Sequence, residues 1–256
     1  MGKYYGVEVK PTISVAALAA GNITNGEILF DWKGFDIPGG SAKLASMTIQ
    51  YKGKNGVDYT PTDLELFWAK SYRGSAPGTL GGDGDVVDTF TSSWFPNIIG
   101  KSYIDAGQNS NDGDLIIGNI ITCDTTLLGG SAGGDLFAGG ELILTPEPGS
   151  GSAIGYDKLY VASLAKGTHN WGASTMAING TMSTDSPVLT VDGVDAIKAL
   201  SPGDVLRDED DLLLGTVKTI DSSTQVTLES NLANASTNDK LVYNTTPITF
   251  ILGFEI

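Results

Sequence analysis

The clearest pattern along the chain is an alternation of apolar and polar positions with a period of two. In residues 42–51, Ala45, Met47, Ile49 and Tyr51 fall on one face and Ser46, Thr48 and Gln50 on the other, which predicts a half-buried strand. Residues 63–69 place Leu64, Leu66 and Trp68 opposite Glu65 and Phe67, after a connector whose Asn55-Gly56 step suits a tight turn. Residues 26–37 put Ile28, Phe30 and Trp32 opposite Leu29, Asp31 and Lys33, and Pro38-Gly39-Gly40 ends the run. Two further extended stretches, 5–10 and 13–20, flank Pro11, which has no N–H for a central ladder. Strand patterns return at 115–128, 135–145 and 156–166. The predicted core comprises Leu44, Met47, Ile49, Leu64, Leu66, Trp68, Leu142, Leu144, Leu159 and Val161.

Between these strands, residues 71–88 carry Pro77 and glycines that include those at 78, 81, 82 and 84, and read as a long surface loop; Trp94 and Phe95 then anchor it to the core. From Ala177 the chain becomes polar and poor in aromatics. Its turns are Asp192-Gly193, Pro202-Gly203-Asp204, 208–211 and 221–224, with strands at 188–191, 205–207, 212–220, 225–228 and 240–243, enough for a small five-stranded barrel. The last stretch, 247–256, is strongly apolar again and is expected to return to the first part. The expected fold is therefore all-β: an antiparallel, jelly-roll-like β-sandwich over 1–176 with an N-terminal arm, an inserted small β-barrel over 177–243, and a returning strand over 244–256.

Composition sharpens this. The 256 residues include 34 glycines and only 18% charged residues, which favours short strands and tight turns over helices. A net charge of −15 argues against direct binding to a phosphate backbone. No stretch has the run of apolar residues needed to cross a bilayer, and the N-terminus lacks a signal-peptide core, so synthesis in a cytosol without membrane insertion is expected. Met1-Gly2 begins like a myristoylation signal, but Gly6 stands where Ser or Thr is required. Cys123, the single cysteine, reads as a small buried hydrophobe, and the single histidine, His169, as a strand-end residue with neither a Gly-x-Ser-x-Gly elbow nor zinc spacing elsewhere. No phosphate loop is present, so neither a cofactor nor a catalytic residue is predicted. The acidic groups Asp83, Asp85 and Asp88, Asp112 and Asp114, and Asp208, Glu209, Asp210 and Asp211 miss the twelve-residue Ca²⁺ loop and read as solvated turns. Tyr72, Trp94 and Tyr103 are candidates for stacking on sugars.

Two stretches resemble tailed-phage virion proteins. Phe30-Asp31-Trp32-Lys33-Gly34-Phe35 with the continuation to Leu44, Asp63-Leu64-Glu65-Leu66-Phe67-Trp68-Ala69, Ala76-Pro77-Gly78-Thr79-Leu80-Gly81 and Tyr156-Asp157-Lys158-Leu159-Tyr160-Val161 look like capsid-associated structural proteins of marine phages. Leu200-Ser201-Pro202-Gly203-Asp204-Val205-Leu206-Arg207, continued at 214–217 and 226–228, is similar to small β-barrel modules of phage head and tail proteins. The resemblance implies a capsid decoration or cement protein, not an enzyme. It would be made in the host bacterial cytoplasm, assembled on the virion as a homotrimer, and bound to the major capsid protein. On that reading the apolar, mildly basic N-terminus, with Lys3, Tyr4, Tyr5, Lys10 and Ile13, adds to a partner's sheet, and the acidic barrel faces solvent. Two other classes stay open: a carbohydrate-binding fibre or adhesin module that contacts a host-surface glycan, and a glycan-degrading enzyme with paired carboxylates.

Overall fold

The structure is a computed structural model that describes residues 3–37, 41–56, 59, 62–87, 95–104, 120–123, 143–146 and 158–256. In chain order its elements are β1 (Tyr4–Val9), α1 (Val15–Ala20), β2 (Asn22–Ile23), β3 (Ile28–Phe35), β4 (Ala42–Tyr51), β5 (Leu64–Lys70), β6 (Ile98–Ile104), β7 (Ile120–Cys123), β8 (Ile143–Leu144), β9 (Leu159–Ala165) and β10 (His169–Asn170). They continue with β11 (Ala177–Ile178), β12 (Val188–Asp192), α2 (Ala196–Ala199), β13 (Val205–Asp208), β14 (Leu213–Ser222), β15 (Gln225–Leu228), β16 (Val242–Asn244) and β17 (Ile248–Glu255). The protein is all-β, and its sheets are antiparallel. Of the strand patterns expected at 115–128 and 135–145, only 120–123 and 143–145 are described; Leu142 and Cys123's side chain lie outside the described residues.

Two sheets share one hydrophobic cluster. The first has the order β1-β17-β4-β7, with β8 also on β4; the second has the order β3-β9-β5-β6. Phe30 on β3 meets Phe250 on β17 with ring centroids 5.6 Å apart, and Phe35 stacks on Phe254 at 6.5 Å, so the inner faces of the two sheets are in contact. Leu44, Met47, Ile49, Leu64, Leu66, Trp68, Leu144, Leu159 and Val161 are all buried.

Bulges correct two faces read from strict alternation. A register shift between Gly253 and Phe254 leaves Ala45 without an opposite number; Ala45 is exposed, and Leu44 takes the inward position. Shifts along β3 opposite β9 do the same: Phe30 points into the main cluster, while Ile28 and Trp32 pack on the far side of the sheet with Phe67, Leu80, Leu164 and Ile98. That far side is covered, because the expected surface loop is pinned along β3. Trp32 Nε1 donates to Gly78 O at 2.9 Å, Leu80 N to Asp31 Oδ1 at 3.0 Å, and Ile28 N to Asp85 O at 2.9 Å.

The stretch 13–20, expected to be extended, is instead the helix α1. Ser14 Oγ caps it by accepting from Ala17 N at 3.2 Å, and Gly21 closes it with φ +88°. An Ala-rich segment between such caps favours helix over strand.

The third sheet has the order β11-β12-β15-β14-β13-β16 and its own cluster, centred on Ile178, Leu189, Val191, Leu206, Leu214, Val217 and Val226. Its end strands meet: Ala177 bridges Leu241, Ile178 N donates to Lys240 O, and Val242 N donates to Met176 O, both at 2.8 Å. The strand β11 is an addition to the five expected here. After β16 the chain enters β17, between β1 and β4 of the first sheet.

Candidate functional site

Among the described residues β1 is an open edge of the first sheet, with β7 and β8 at its other side. Lys3 and Ile256 exchange both backbone hydrogen bonds, at 3.2 and 2.9 Å. By antiparallel alternation Tyr5, Val7 and Val9 also bond towards β17, and the N–H and C=O groups of Tyr4, Gly6 and Glu8 point away from it. Among the described residues no strand lies beyond them. Tyr4 is 72% exposed, its hydroxyl 3.3 Å from Glu255 Oε1, and a Cβ on Gly6 would meet nothing within 4 Å. The sequence-predicted arm is thus a strand of its own sheet. Lys3, Tyr4 and Tyr5 are at its exposed end.

Lys10 and Ile13 are not free for a partner. Ile13 is fully buried, and its N–H donates to Thr245 O at 2.7 Å. Lys10 turns inward, with Nζ 3.1 Å from Asp204 Oδ1 and 2.8 Å from Pro202 O.

Asp204 is the centre of a buried polar junction where the third sheet meets the first. Its Oδ2 accepts from Lys52 Nζ at 2.9 Å, from Asn244 Nδ2 at 2.7 Å and from Ser201 N at 2.8 Å. Asn244 Oδ1 in turn accepts from Thr246 N at 2.9 Å and Thr246 Oγ1 at 3.0 Å. Lys52, Asp204, Asn244 and Thr246 are all buried. Burial pushes the Lys52 ammonium below its ordinary pKa, against the pull of Asp204. Two residues on, Lys54 donates to Leu18 O at 2.5 Å and lies 6.0 Å from the Tyr243 ring; burial lowers its pKa too. Sequence reasoning read Asp204 only as a turn residue and passed over both lysines. The one local signal was the pair of lysines directly after an apolar strand, because their partners lie up to 152 positions away.

A second buried group surrounds His169, which is fully buried rather than an ordinary strand end. Tyr59 Oη is 2.5 Å from His169 Nδ1, and Tyr59 stacks on Tyr51 at 4.7 Å and leans on Trp171 at 4.8 Å. Burial holds the His169 pKa down at about 4, against a smaller opposing pull from Asp63, and burial also raises that of Tyr59. Tyr59 and neutral His169 thus share a hydrogen bond whose direction is set by the imidazole tautomer, an arrangement that locks a core.

The candidate sugar-stacking residues are not assembled into one platform. Tyr103 lies opposite Glu65 near the start of β5, whereas Tyr72 follows the end of β5, about 20 Å away along an extended strand. The Tyr103 hydroxyl donates to Asp63 at 2.6 Å, and the Arg73 guanidinium is 5.4 Å from the Tyr72 ring. Trp94 lies outside the described residues. The acidic turns are solvated at Asp85, Glu209, Asp210 and Asp211, which are exposed, but not throughout. Asp83 Oδ2 accepts from Ser14 N at 2.7 Å, and fully buried Asp208 accepts from Asp210 N, Leu212 N and Ser236 Oγ at 3.0–3.1 Å. Asp88, Asp112 and Asp114 lie outside the described residues. Among the described residues no group of three or more His, Cys, Asp and Glu is placed to hold a metal ion, and no helix is long and apolar enough to cross a membrane.

Comparison with protein-family models, with curated proteins and with solved structures finds no match for the chain.

Proposed function

We propose that this chain is a structural, non-enzymatic virion protein of the capsid decoration or cement type. It binds the major capsid protein on the outside of a phage head and acts there as a homotrimer. The observation that carries the reading is the open edge of β1: the outward backbone groups of Tyr4, Gly6 and Glu8 offer a ladder to an extended partner segment, and nothing on Gly6 obstructs the approach. A partner segment bearing Lys or Arg opposite Glu8 would match the net charge of −15.

The finer architecture belongs to the same reading. The strands β1, β3, β4, β5, β6, β7, β9 and β17 pair first with last, second with seventh, third with sixth and fourth with fifth. That is the order of a rolled-up hairpin, so the two facing sheets form a jelly-roll-like sandwich, with residues 177–243 as a small barrel inserted between its last two strands. Jelly rolls serve both capsids and lectins, so fold alone does not choose between them. The separation of Tyr72 from Tyr103 weighs against the sugar-binding alternative.

Gly6→Pro is the test. Proline removes an outward N–H that no described strand of the chain pairs with and blocks a ladder at its centre. Occupancy of heads that lack the protein should fall at least tenfold, with the circular dichroism spectrum and Tm unchanged. Wild-type occupancy by the variant would rule out the edge as the anchor.

A further inference from the structure

The junction around Asp204 brings together an amine, a carboxamide and a carboxylate, all buried, from three separate parts of the chain. Lys52 Nζ and Asn244 Nδ2 bond to the same oxygen, Asp204 Oδ2, so the two nitrogens are no further apart than two hydrogen bonds in sequence. Lys52 follows β4, Asn244 ends β16, and Asp204 precedes β13. An ion pair alone needs only the lysine and the aspartate; the rest of the arrangement points to chemistry.

We propose that Lys52 and Asn244 join in an intramolecular amide bond, with Asp204 carrying the proton. Asp204 takes a proton from the Lys52 ammonium, and the freed amine attacks Asn244 Cγ. The Nζ–Cγ bond forms, Asp204 hands its proton to Nδ2 and takes the surplus second proton from Nζ, and the Cγ–Nδ2 bond breaks, so that the nitrogen leaves as ammonia and Asp204 is left protonated. No oxidant, reductant or co-reactant is needed.

Each step has a group in place. Two cations, Lys10 and Lys52, both pair with Asp204, Lys10 reaching Glu8 as well at 3.5 Å, and burial disfavours the charged form of Lys52, so an amine is within reach. The oxygen on which negative charge develops, Asn244 Oδ1, already accepts from Thr246 N and Thr246 Oγ1. The hydroxyl is aimed there because Val205 N donates to Thr246 Oγ1 at 3.0 Å, leaving its proton to point at the carboxamide. Lys52 N donates to Pro247 O at 2.9 Å, which holds the lysine beside the chain that carries Asn244, and Ser201 N fixes the Asp204 carboxylate.

The inference does not depend on the capsid reading and is tested on the purified full-length chain. Its intact mass should fall about 17 Da below that of the sequence, the mass of one ammonia. A tryptic digest should yield one branched peptide joining Lys52 to Asn244. In a denaturing gel the closed loop should migrate ahead of Lys52→Arg, a variant that keeps the charge opposite Asp204 but cannot form the link and should show the full mass. A wild-type mass equal to the sequence mass, with Lys52 and Asn244 recovered in separate peptides, overturns the proposal. A loss of about 18 Da with the link at Asp204 overturns the assignment of Asn244 as the electrophile.

Discussion

The two facing sheets and the third sheet solve the problem of a β core differently. Between the facing sheets the core is aromatic: Phe30, Phe35, Trp68, Phe250 and Phe254 interlock across the interface, and bulges adjust strand faces to fit them. The third sheet fills its interior with Ile, Leu, Val, Met and Ala, and shapes its turns with buried carboxylates, Asp204 before β13 and Asp208 at its end. Large rings demand particular geometry and force departures from simple alternation. The third sheet is bulged too, between Leu206 and Arg207 and twice along β14, but with small aliphatic side chains filling it, specificity there falls to polar groups with defined partners.

The contrast can be tested with separate probes, because all four tryptophans, at 32, 68, 94 and 171, precede the third sheet. Trp68→Ala should have the largest effect: loss of a fully buried ring and of its 2.9 Å bond to Ser102 Oγ should cost about 4 kcal/mol, read as a lower urea midpoint of tryptophan fluorescence. Acid should come next. His169 stays neutral in the folded chain down to about pH 4 but titrates near 6.5 when unfolded, so below 6.5 the unfolded state binds the extra proton. Stability should therefore fall by about 3 kcal/mol as pH drops from 6.5 to 4. His169→Phe should flatten that part of the profile, and an unchanged slope would remove His169 as its cause. In the third sheet, Asp208→Ala leaves Asp210 N, Leu212 N and Ser236 Oγ without their acceptor and should cost about 2 kcal/mol, seen in far-ultraviolet circular dichroism more than in fluorescence. Smallest of all, Ala45→Lys should change stability by no more than about 0.5 kcal/mol, since the bulge puts that position in solvent. The same change at Leu44 should be severe, and equal effects at the two positions would refute the bulge.

What could be read from the sequence follows from the same contrast. Period-two runs such as those around Met47, Leu66, Leu206 and Val226 are local, and they mark strands in both regions. Bulges were not legible, because the residue that creates one lies on another strand: nothing near Ala45 announces Gly253. The helix α1 was missed although its signals, Ser14 and Gly21, were local; six residues between them were too few to show a helical period. The pinned loop and the Asp204 junction depend on polar side chains whose partners the topology supplies, so only the edge at β1 was approached from sequence, and then as an extended arm for a partner rather than a strand of the chain's own sheet.

The bridge between Ala177 and Leu241 has a consequence for exchange of parts. Because the third sheet begins and ends at neighbouring positions, the rest of the chain meets it as it would meet the tip of a hairpin, and another unit with adjacent ends would satisfy the same covalent geometry. Electrostatics sets the condition for such a graft. Removing residues 177–243 also removes Asp204, stranding Lys52 in a buried site without its counter-charge. A replacement must bring its own carboxylate to that spot, or the host must lose its lysine.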